Sequence, residues 1–301
     1  RAVVSEPWFT SVSDLKLDQI GVYAQDQLAW DKWRGTLSLR HDWARQKGTT
    51  FTNFAGATDV DEDDSKTTGH AGVSYVFDSG VAPYVSYSTS FDPELGVDIS
   101  GRQLEPTEGK QWEAGVKYQP EGFDALITAA IYDLRQENVP VTVTEGGITG
   151  TRQIGEVKSR GFELEGTAAL DRGWDIRAAY AYNDAEQVGG VDDGKAPANT
   201  PENTGSLWLN YAFAENSPVS GLSLAGGLRY IGKRYGDNAN LYEMDDVTVF
   251  DAAARYRFRN GAELAVNASN LTDKVYLANC ATFGCYYGAG RSVVATLSYR
   301  W

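Results

Sequence analysis

The chain has 301 residues and a formal net charge of −14 at neutral pH. This acidic balance argues against nucleic acid as a partner, because binding to phosphates requires a basic face. No run of about 18 apolar residues occurs, so no transmembrane helix is predicted. The mean hydropathy of −0.39 still leaves room for a membrane β-barrel, whose strands need only one apolar face.

Alternation of apolar and polar residues predicts strands along most of the chain. In the segment 112–118, Trp, Ala, Val and Tyr alternate with Glu, Gly and Lys. Successive side chains of a strand point to opposite faces, so such a segment has one apolar and one polar face. The 32 glycines and 17 tyrosines also favour an all-β protein with many turns. About thirteen such segments are predicted: 19–30, 33–45, 67–77, 81–90, 107–118, 123–137, 152–170, 173–187, 203–213, 221–234, 247–258, 261–269 and 291–301.

The connections between these segments alternate in length. Short connections are predicted at 31–33, 78–80, 120–122, 171–173 and 259–261. Long loops are predicted at 46–66, 91–106, 138–151, 188–202, 235–246 and 270–290. Short turns at one end and long loops at the other are typical of outer-membrane barrels, with the turns in the periplasm and the loops outside.

Aromatic residues lie near the predicted strand ends, where they would form the girdles of a membrane barrel. They are Trp30, Trp33, Trp43, Phe77, Tyr118, Trp174, Phe213, Phe258 and Trp301. A soluble β-sandwich or barrel is the alternative, in which the same rings would cap a core. Long strands with so few Val and Ile would make a poor core, so the membrane barrel is favoured.

The last segment, VVATLSYRW (293–301), predicts a closing strand. Val293, Ala295, Leu297, Tyr299 and Trp301 would face lipid, and the final aromatic would lie at the periplasmic interface. Bacterial barrels of one chain have an even number of strands, whereas about thirteen are counted here. We therefore expect residues 1–18 to be the remnant of an extracellular loop and residues 19–301 to be the C-terminal part of a larger barrel.

Six stretches resemble the TonB-dependent siderophore receptors, and among these the ferrichrome and related hydroxamate-siderophore receptors. They are GVYAQDQLAWDKW (21–33), YVFDSGVAPYVSYSTSFDP (75–93), LEPTEGKQWEAGVKY (104–118), IGEVKSRGFELEG (154–166), NASNLTDKVYLANC (267–280) and CYYGAGRSVVATLSYRW (285–301). The resemblance implies an antiparallel transmembrane β-barrel of about 22 strands, filled by an N-terminal plug. The chain has no counterpart of the plug or of the TonB box.

The resemblance also implies a function, which is uptake of ferric siderophores through the outer membrane of Gram-negative cells. The expected partners are the TonB–ExbB–ExbD complex, acting through the plug and TonB box, the ferric siderophore as transported ligand, and lipopolysaccharide around a monomeric barrel. No covalent cofactor is implied. Import of a catecholate siderophore or vitamin B12, and a passive porin, remain open alternatives.

Cys280 and Cys285 are the only cysteines, and they lie in the last long loop. The oxidising exterior favours a disulfide between them, and the resemblance implies the same bridge. Zinc binding is the rival interpretation, but two Cys without a neighbouring His make a poor site. Phe283, Tyr286 and Tyr287 surround the pair and are candidate contacts for a siderophore, although they could equally pack on the disulfide.

Charged residues elsewhere are interpreted structurally. The acidic run VDEDDSK (60–66) is expected in a solvated loop, because it lacks the Gly and Glu of a calcium-binding loop. Inward-facing charges are expected to pair with one another and with the plug. They are Glu113, Lys117, Glu163, Glu165, Arg177, Arg229, Arg255 and Arg257.

No catalytic arrangement emerges from the sequence. The two histidines, His41 and His70, belong to no recognisable Ser-His-acid set, and GAGR (288–291) lacks the lysine and spacing of a phosphate loop. The sequence therefore predicts neither an enzyme nor a metal site.

Overall fold

A computed structural model describes residues 11–52, 56–145, 148–170, 173–281 and 284–300. All regular elements in these ranges are β-strands. None of the described residues forms a helix that is long and apolar enough to cross a membrane.

The strands follow one another closely along the chain. They are β1 (Ser11–Trp30), β2 (Trp33–Thr52), β3 (Gly56–Tyr75), β4 (Val81–Asp92), β5 (Thr107–Tyr118), β6 (Asp124–Glu145), β7 (Ile148–Leu170), β8 (Trp174–Val188), β9 (Asn203–Ala212), β10 (Leu222–Ile231), β11 (Arg234–Tyr235), β12 (Glu243–Met244), β13 (Val247–Arg257), β14 (Ala262–Ser269), β15 (Leu277–Ala281), β16 (Gly284–Tyr287) and β17 (Ser292–Tyr299).

Thirteen of these strands form one sheet, in the order β1 to β10, then β13, β14 and β17. Every neighbouring pair is antiparallel and consecutive within this set. The strands β11 with β12, and β15 with β16, form two small hairpins. The predicted all-β antiparallel architecture is confirmed.

The connections divide the sheet into a turn end, where they are short, and a loop end. Gly173 closes the connection between β7 and β8 with a positive φ of 87°. A Cβ atom there would lie 2.2 Å from the carbonyl oxygen of Ala212, so only glycine fits. At the loop end, the segments 93–106, 189–202, 232–246 and 270–291 join the strands of the sheet.

Two predicted loops are strands instead. Residues 46–52 and 56–66 continue β2 and β3, and residues 138–145 and 148–151 continue β6 and β7, so that tall hairpins rise at the loop end. Residues 11–18, also expected in a loop, pair with 45–52. In the extensions of β2 and β3, charged and polar cross-strand pairs such as Arg45 with Asp61 and Thr49 with Asp59 take the place of apolar alternation.

The two faces of the sheet differ in chemistry. One face carries ring clusters at the turn end: Trp33 with Tyr75 and Phe77, Trp174 with Tyr211 and Phe213, and Tyr256 with Phe258, at centroid distances of 4.7–4.9 Å. We call this the apolar face. The other, polar face carries carboxylates and guanidinium groups.

The register fixes the faces of the last strand. Leu297 lies opposite Leu264, and Leu264 lies opposite Tyr256, so these three residues share the apolar face. Ser298 lies opposite Glu263 on the polar face. Exposure alone does not separate the two faces, because Leu297 is 73% exposed and Val294 is 55% exposed on this edge strand. Trp301 lies outside the described residues.

Candidate ligand-binding mouth

Three loops interlock at the loop end. Gln187, at the end of β8 and only 1% exposed, donates from Nε2 to the carbonyl oxygen of Asn238, 3.0 Å away. Asn240 accepts from the N–H of Ala196 and donates to the carbonyl of the same residue, at 2.9 and 2.8 Å. The N–H of Asn199 donates to the carbonyl of Tyr235. The loops 189–202 and 232–246 are thus fixed to each other by main-chain and amide contacts.

The third loop is fixed by a buried arginine and a disulfide. Arg234 is 5% exposed and donates from Nη2 to the carbonyl oxygens of Leu277 and Ala278, at 2.7 and 3.0 Å. Burial lowers the pKa of this guanidinium. Cys280 and Cys285 lie opposite each other on β15 and β16, and their Sγ atoms are bonded at 2.02 Å. A Cβ on Gly236 would lie 2.4 Å from Cβ of Cys280, so the hairpin packs directly on the neighbouring loop.

The disulfide hairpin displays aromatic side chains at the loop end, where it meets the loops 189–202 and 232–246; we call this region the mouth. Tyr286 is 61% exposed and Tyr287 is 71% exposed. Phe283, predicted with them as a ligand contact, lies outside the described residues. Leu241 and Tyr242 are also exposed on the loop 232–246, which packs against this hairpin. In the sequence, nothing but their position in a long loop distinguishes these two residues from their neighbours.

A fourth segment, the strap (residues 93–106), covers the polar face of the tall hairpins. At one side, Gln46 of β2 donates to the carbonyl of Glu94 at 2.8 Å and accepts from the N–H of Gly96 at 3.2 Å. At the other side, the N–H of Ile99 donates to the carbonyl of Thr151 on β7 at 2.7 Å. Buried apolar residues fill the interface between strap and hairpins: Val60, Val97, Ile99 and Leu104.

Asp98 holds the fold of the strap. Its Oδ1 accepts from the N–H and Oγ of Ser100 and from the N–H of Arg102, and its Oδ2 accepts from Nε of Arg102. Burial by itself would raise the pKa of Asp98, but these hydrogen bonds outweigh burial and lower the pKa. The carboxylate therefore remains charged within a largely covered segment.

Below the loops, the polar face carries paired charges. Asp251 accepts from Arg229 at 2.7 and 3.1 Å. Glu263 lies 2.8 Å from Arg257 and 3.5 Å from Arg255. Tyr84 donates to Glu113 at 2.6 Å, and Lys117 lies 5.1 Å from the centre of the Tyr84 ring. The predicted inward charges therefore do share one face.

The polar face also contains an open pocket of about 370 Å³, lined by Glu163, Glu165, Arg229 and neighbouring residues of β8 to β10. Arg177 lies opposite Thr167 on β7, two residues along from Glu165, and so belongs to the same face. The pocket brings two carboxylates and one guanidinium together on the polar face.

The part of the chain that the structure describes contains no cluster of three or more His, Cys, Asp and Glu side chains suited to a metal ion. His41 Nδ1 shares a hydrogen bond of 2.7 Å with Thr67 Oγ1. The His41 ring packs edge-on against Trp43 on the apolar face. The run 60–66, expected in a loop, lies on β3.

Comparison with known proteins places this geometry among receptors. The family model for "TonB dependent receptor-like, beta-barrel" matches residues 4–271. The chain is 42% identical over 291 residues to the ferrichrome outer membrane transporter/phage receptor of Escherichia coli K12, covering 95% of this chain and 38% of that protein. It is 38% identical over 291 residues to the ferrioxamine B receptor of Salmonella typhimurium, covering 94% of this chain and 41% of that protein.

Among solved structures, the siderophore receptor PiuA from Acinetobacter baumannii matches with a TM-score of 0.80 and 26% identity. The match covers 95% of this chain and 44% of that one. The chain thus spans about two fifths of the length of the relatives it matches.

Proposed function

The chain belongs to the family of TonB-dependent receptor β-barrels, and on that premise we propose that the whole protein is an outer-membrane receptor and transporter for ferric siderophores of the hydroxamate type. The family comprises receptors and transporters, and no enzymatic role is proposed. In this arrangement the turn end faces the periplasm and the loop end faces outward, as short turns and long loops are distributed in such barrels.

One observation carries the choice of ligand. The two relatives described above are named for ferrichrome and for ferrioxamine B, and both compounds are hydroxamate siderophores. The identities of 42% and 38% extend over 95% and 94% of this chain.

The exposed tyrosines of the disulfide hairpin are proposed as ligand contacts. Aromatic walls with a few polar groups suit a bulky ligand that presents an organic shell around its iron. Phe283 is included in this proposal because it lies between the two cysteines in sequence. The polar face below would line the passage, with its charges in pairs.

Energy for transport would come from the TonB–ExbB–ExbD complex, acting through a plug and a TonB box of the whole protein. We further propose that the barrel is monomeric and surrounded by lipopolysaccharide. The ferric siderophore is the cargo.

The proposal is tested by iron uptake in cells that express the whole protein in place of their own receptors. Growth on ferrichrome or ferrioxamine B as sole iron source, lost when TonB is absent, is the expected result. Growth only on a catecholate siderophore, uptake of vitamin B12 instead of iron, or uptake that is independent of TonB would each overturn it.

The mouth is tested with a double variant, Tyr286→Ala with Tyr287→Ala. We expect the apparent affinity for the ferric siderophore to fall about tenfold, since removal of an aromatic contact from a binding surface costs of the order of 1–2 kcal/mol. Phe51→Ala is the matched control, because Phe51 is an exposed aromatic residue near the tip of β2, outside the disulfide hairpin. Equal uptake by both variants would exclude the tyrosines as contacts.

A further inference from the structure

Strand β3 is paired unequally on its two sides. Its register with β2 runs without interruption from Tyr75 to Gly56. Its ladder with β4 runs only from Ser74 to His70. Above His70, β3 therefore has a neighbouring strand on one side only, among the residues that the structure describes. We call residues 57–65 of this strand the open edge.

The backbone orientation at this edge follows from one residue. The N–H of Gly69 donates to Thr89 Oγ1 at 2.9 Å, and Thr89 Oγ1 donates to the carbonyl of Gly69 at 3.4 Å, so the backbone groups of Gly69 face β4. The N–H and C=O of one residue point to the same side of a strand, and this side alternates along the chain. The backbone groups that face the open side therefore belong to Ala57, Asp59, Asp61, Asp63 and Ser65.

Within the described ranges, no backbone hydrogen bond links these five residues to a strand on the open side. An unpaired row of donors and acceptors is a template for another strand. The edge ends below at Lys66, whose Nζ forms an ion pair at 2.6 Å with Glu108 of β5.

The side chains of the open edge differ in how their charge is compensated. On one face, Asp61 lies 3.0 Å from Arg45 and 3.4 Å from Lys47, and Asp63 lies 3.4 Å from Arg45. On the other face, Glu62 and Asp64 have no ion pair with any described residue, and Glu105 adds a third negative charge nearby. The uncompensated charge therefore lies on one face only, at positions two residues apart.

Burial raises the pKa of Glu62 and of Asp64, and the neighbouring carboxylates, including Glu105, raise both further. The ionised forms of both groups are thus unfavourable in the absence of a cation. A positive side chain brought next to them would relieve this cost.

We propose that the open edge of β3 binds an extended, cationic peptide segment of another protein, which adds to the sheet as a further strand. Its backbone would pair with the five residues whose N–H and C=O groups face the opening. Its Lys or Arg side chains, two residues apart, would lie opposite Glu62 and Asp64. Strand addition supplies affinity through the backbone, and alternate side chains supply specificity.

The test uses the whole protein in detergent and two fluorescent decapeptides of equal composition. In one, Lys alternates with Thr; in the other, the five Lys are contiguous. We expect the alternating peptide to bind about tenfold more tightly in fluorescence anisotropy, because only it can present its charges on one face of a strand. Equal binding of both peptides, or none of either, would overturn the proposal.

Variants of the protein test the contributions of backbone pairing and of charge to peptide binding separately. Ser65→Pro removes one N–H that faces the opening while leaving the ladder with β2 intact, and should weaken binding about tenfold relative to Ser65→Ala. Glu62→Gln with Asp64→Asn should weaken binding about tenfold and reduce its dependence on salt. Asp59→Asn with Asp63→Asn removes the same number of charges from the opposite face and should change affinity less than about threefold.

A variant of the peptide makes the test independent of protein folding. Methylation of alternate amide nitrogens blocks pairing along one edge of a strand only. We expect one set of N-methylated positions to abolish binding and the other set to leave it unchanged. Loss of binding with both sets, or with neither, would show that no strand is added at this edge.

Discussion

Leu297 and Ser298 are neighbours on β17, yet the register places them on opposite faces of the sheet. In a membrane barrel, the apolar face meets lipid, and a charge there is costly. We expect Leu297→Arg to lower the free energy of unfolding of the whole protein by about 2–4 kcal/mol if the residue lies near the midplane.

Ser298→Arg is the matched substitution, because the same side chain would then enter the polar face near Glu263. Its cost should be much smaller. Urea titration of the folded protein in lipid vesicles measures both values, and equal losses at the two positions would show that the faces are assigned wrongly.

Asp98 is the second residue whose role can be isolated. Its lowered pKa means that the carboxylate stabilises the strap fully above about pH 3.8, the ordinary value of an aspartate, and that this contribution is lost as the pH falls further through the folded-state pKa. Asp98→Ala removes all its hydrogen bonds at any pH and leaves the N–H groups of Ser100 and Arg102 without this acceptor.

We expect Asp98→Ala to increase amide hydrogen exchange within residues 94–104 about tenfold at neutral pH, since loss of hydrogen bonds to a charged group costs about 1.5–3 kcal/mol. The tall hairpins should exchange as before. Unchanged protection of the strap would show that its apolar contacts suffice.

Among the elements, the hairpin of β15 and β16 combines a cross-strand disulfide with two exposed tyrosines. The bond closes a short loop, so its stabilisation should be modest, about 2 kcal/mol. Cys280→Ser with Cys285→Ser should therefore leave the barrel folded while the hairpin becomes more mobile.

The cysteines of the same hairpin can show whether it lies at the outer surface of the cell. On intact cells, a thiol reagent that cannot cross the membrane should label neither cysteine until a reductant is added. Labelling without reduction would mean that the bond is absent in the cell, and no labelling after reduction would place the hairpin away from the outer surface.

The strands of the large sheet could be predicted from the sequence because apolar and polar residues alternate along most of them. The bounds of β5 agree at both ends with the predicted 107–118. The extension of β3 could not be predicted in this way, because Asp59, Asp61 and Asp63 alternate with Val60, Glu62 and Asp64, so that one apolar residue alone gives no period.

The mouth was predicted only in part. The disulfide could be predicted from residue type and position, whereas the role of the adjacent tyrosines as ligand contacts stays a prediction. The strap could not be predicted, because its anchors, Gln46 and Thr151, are distant from it in sequence and their partners are main-chain groups. Contacts between a side-chain amide and distant main-chain groups cannot be recognised from the types of residue in a sequence.

At the scale of the whole molecule, the described strands divide into a wall with two chemically distinct faces and a loop end where segments interlock. Such a protein should be recovered in the membrane fraction of cells. In detergent, it should show a β-rich far-UV circular dichroism spectrum. We expect unheated and heated samples of the whole protein to migrate differently in gels, because closed barrels resist detergent until heated. Identical migration would favour the soluble β-protein considered as the alternative.

The hairpin of β2 and β3 keeps a single register from the pair of Trp33 and Tyr75 to the pair of Thr52 and Gly56. Removing two residues from each strand near the tip would leave every remaining side chain on its own face, whereas a one-sided loss of a single residue would reverse the faces above it. The height of this hairpin can therefore change between lineages through small, matched deletions or duplications. Its length is open to evolutionary adjustment in steps of two residues, while the wall beneath it stays the same.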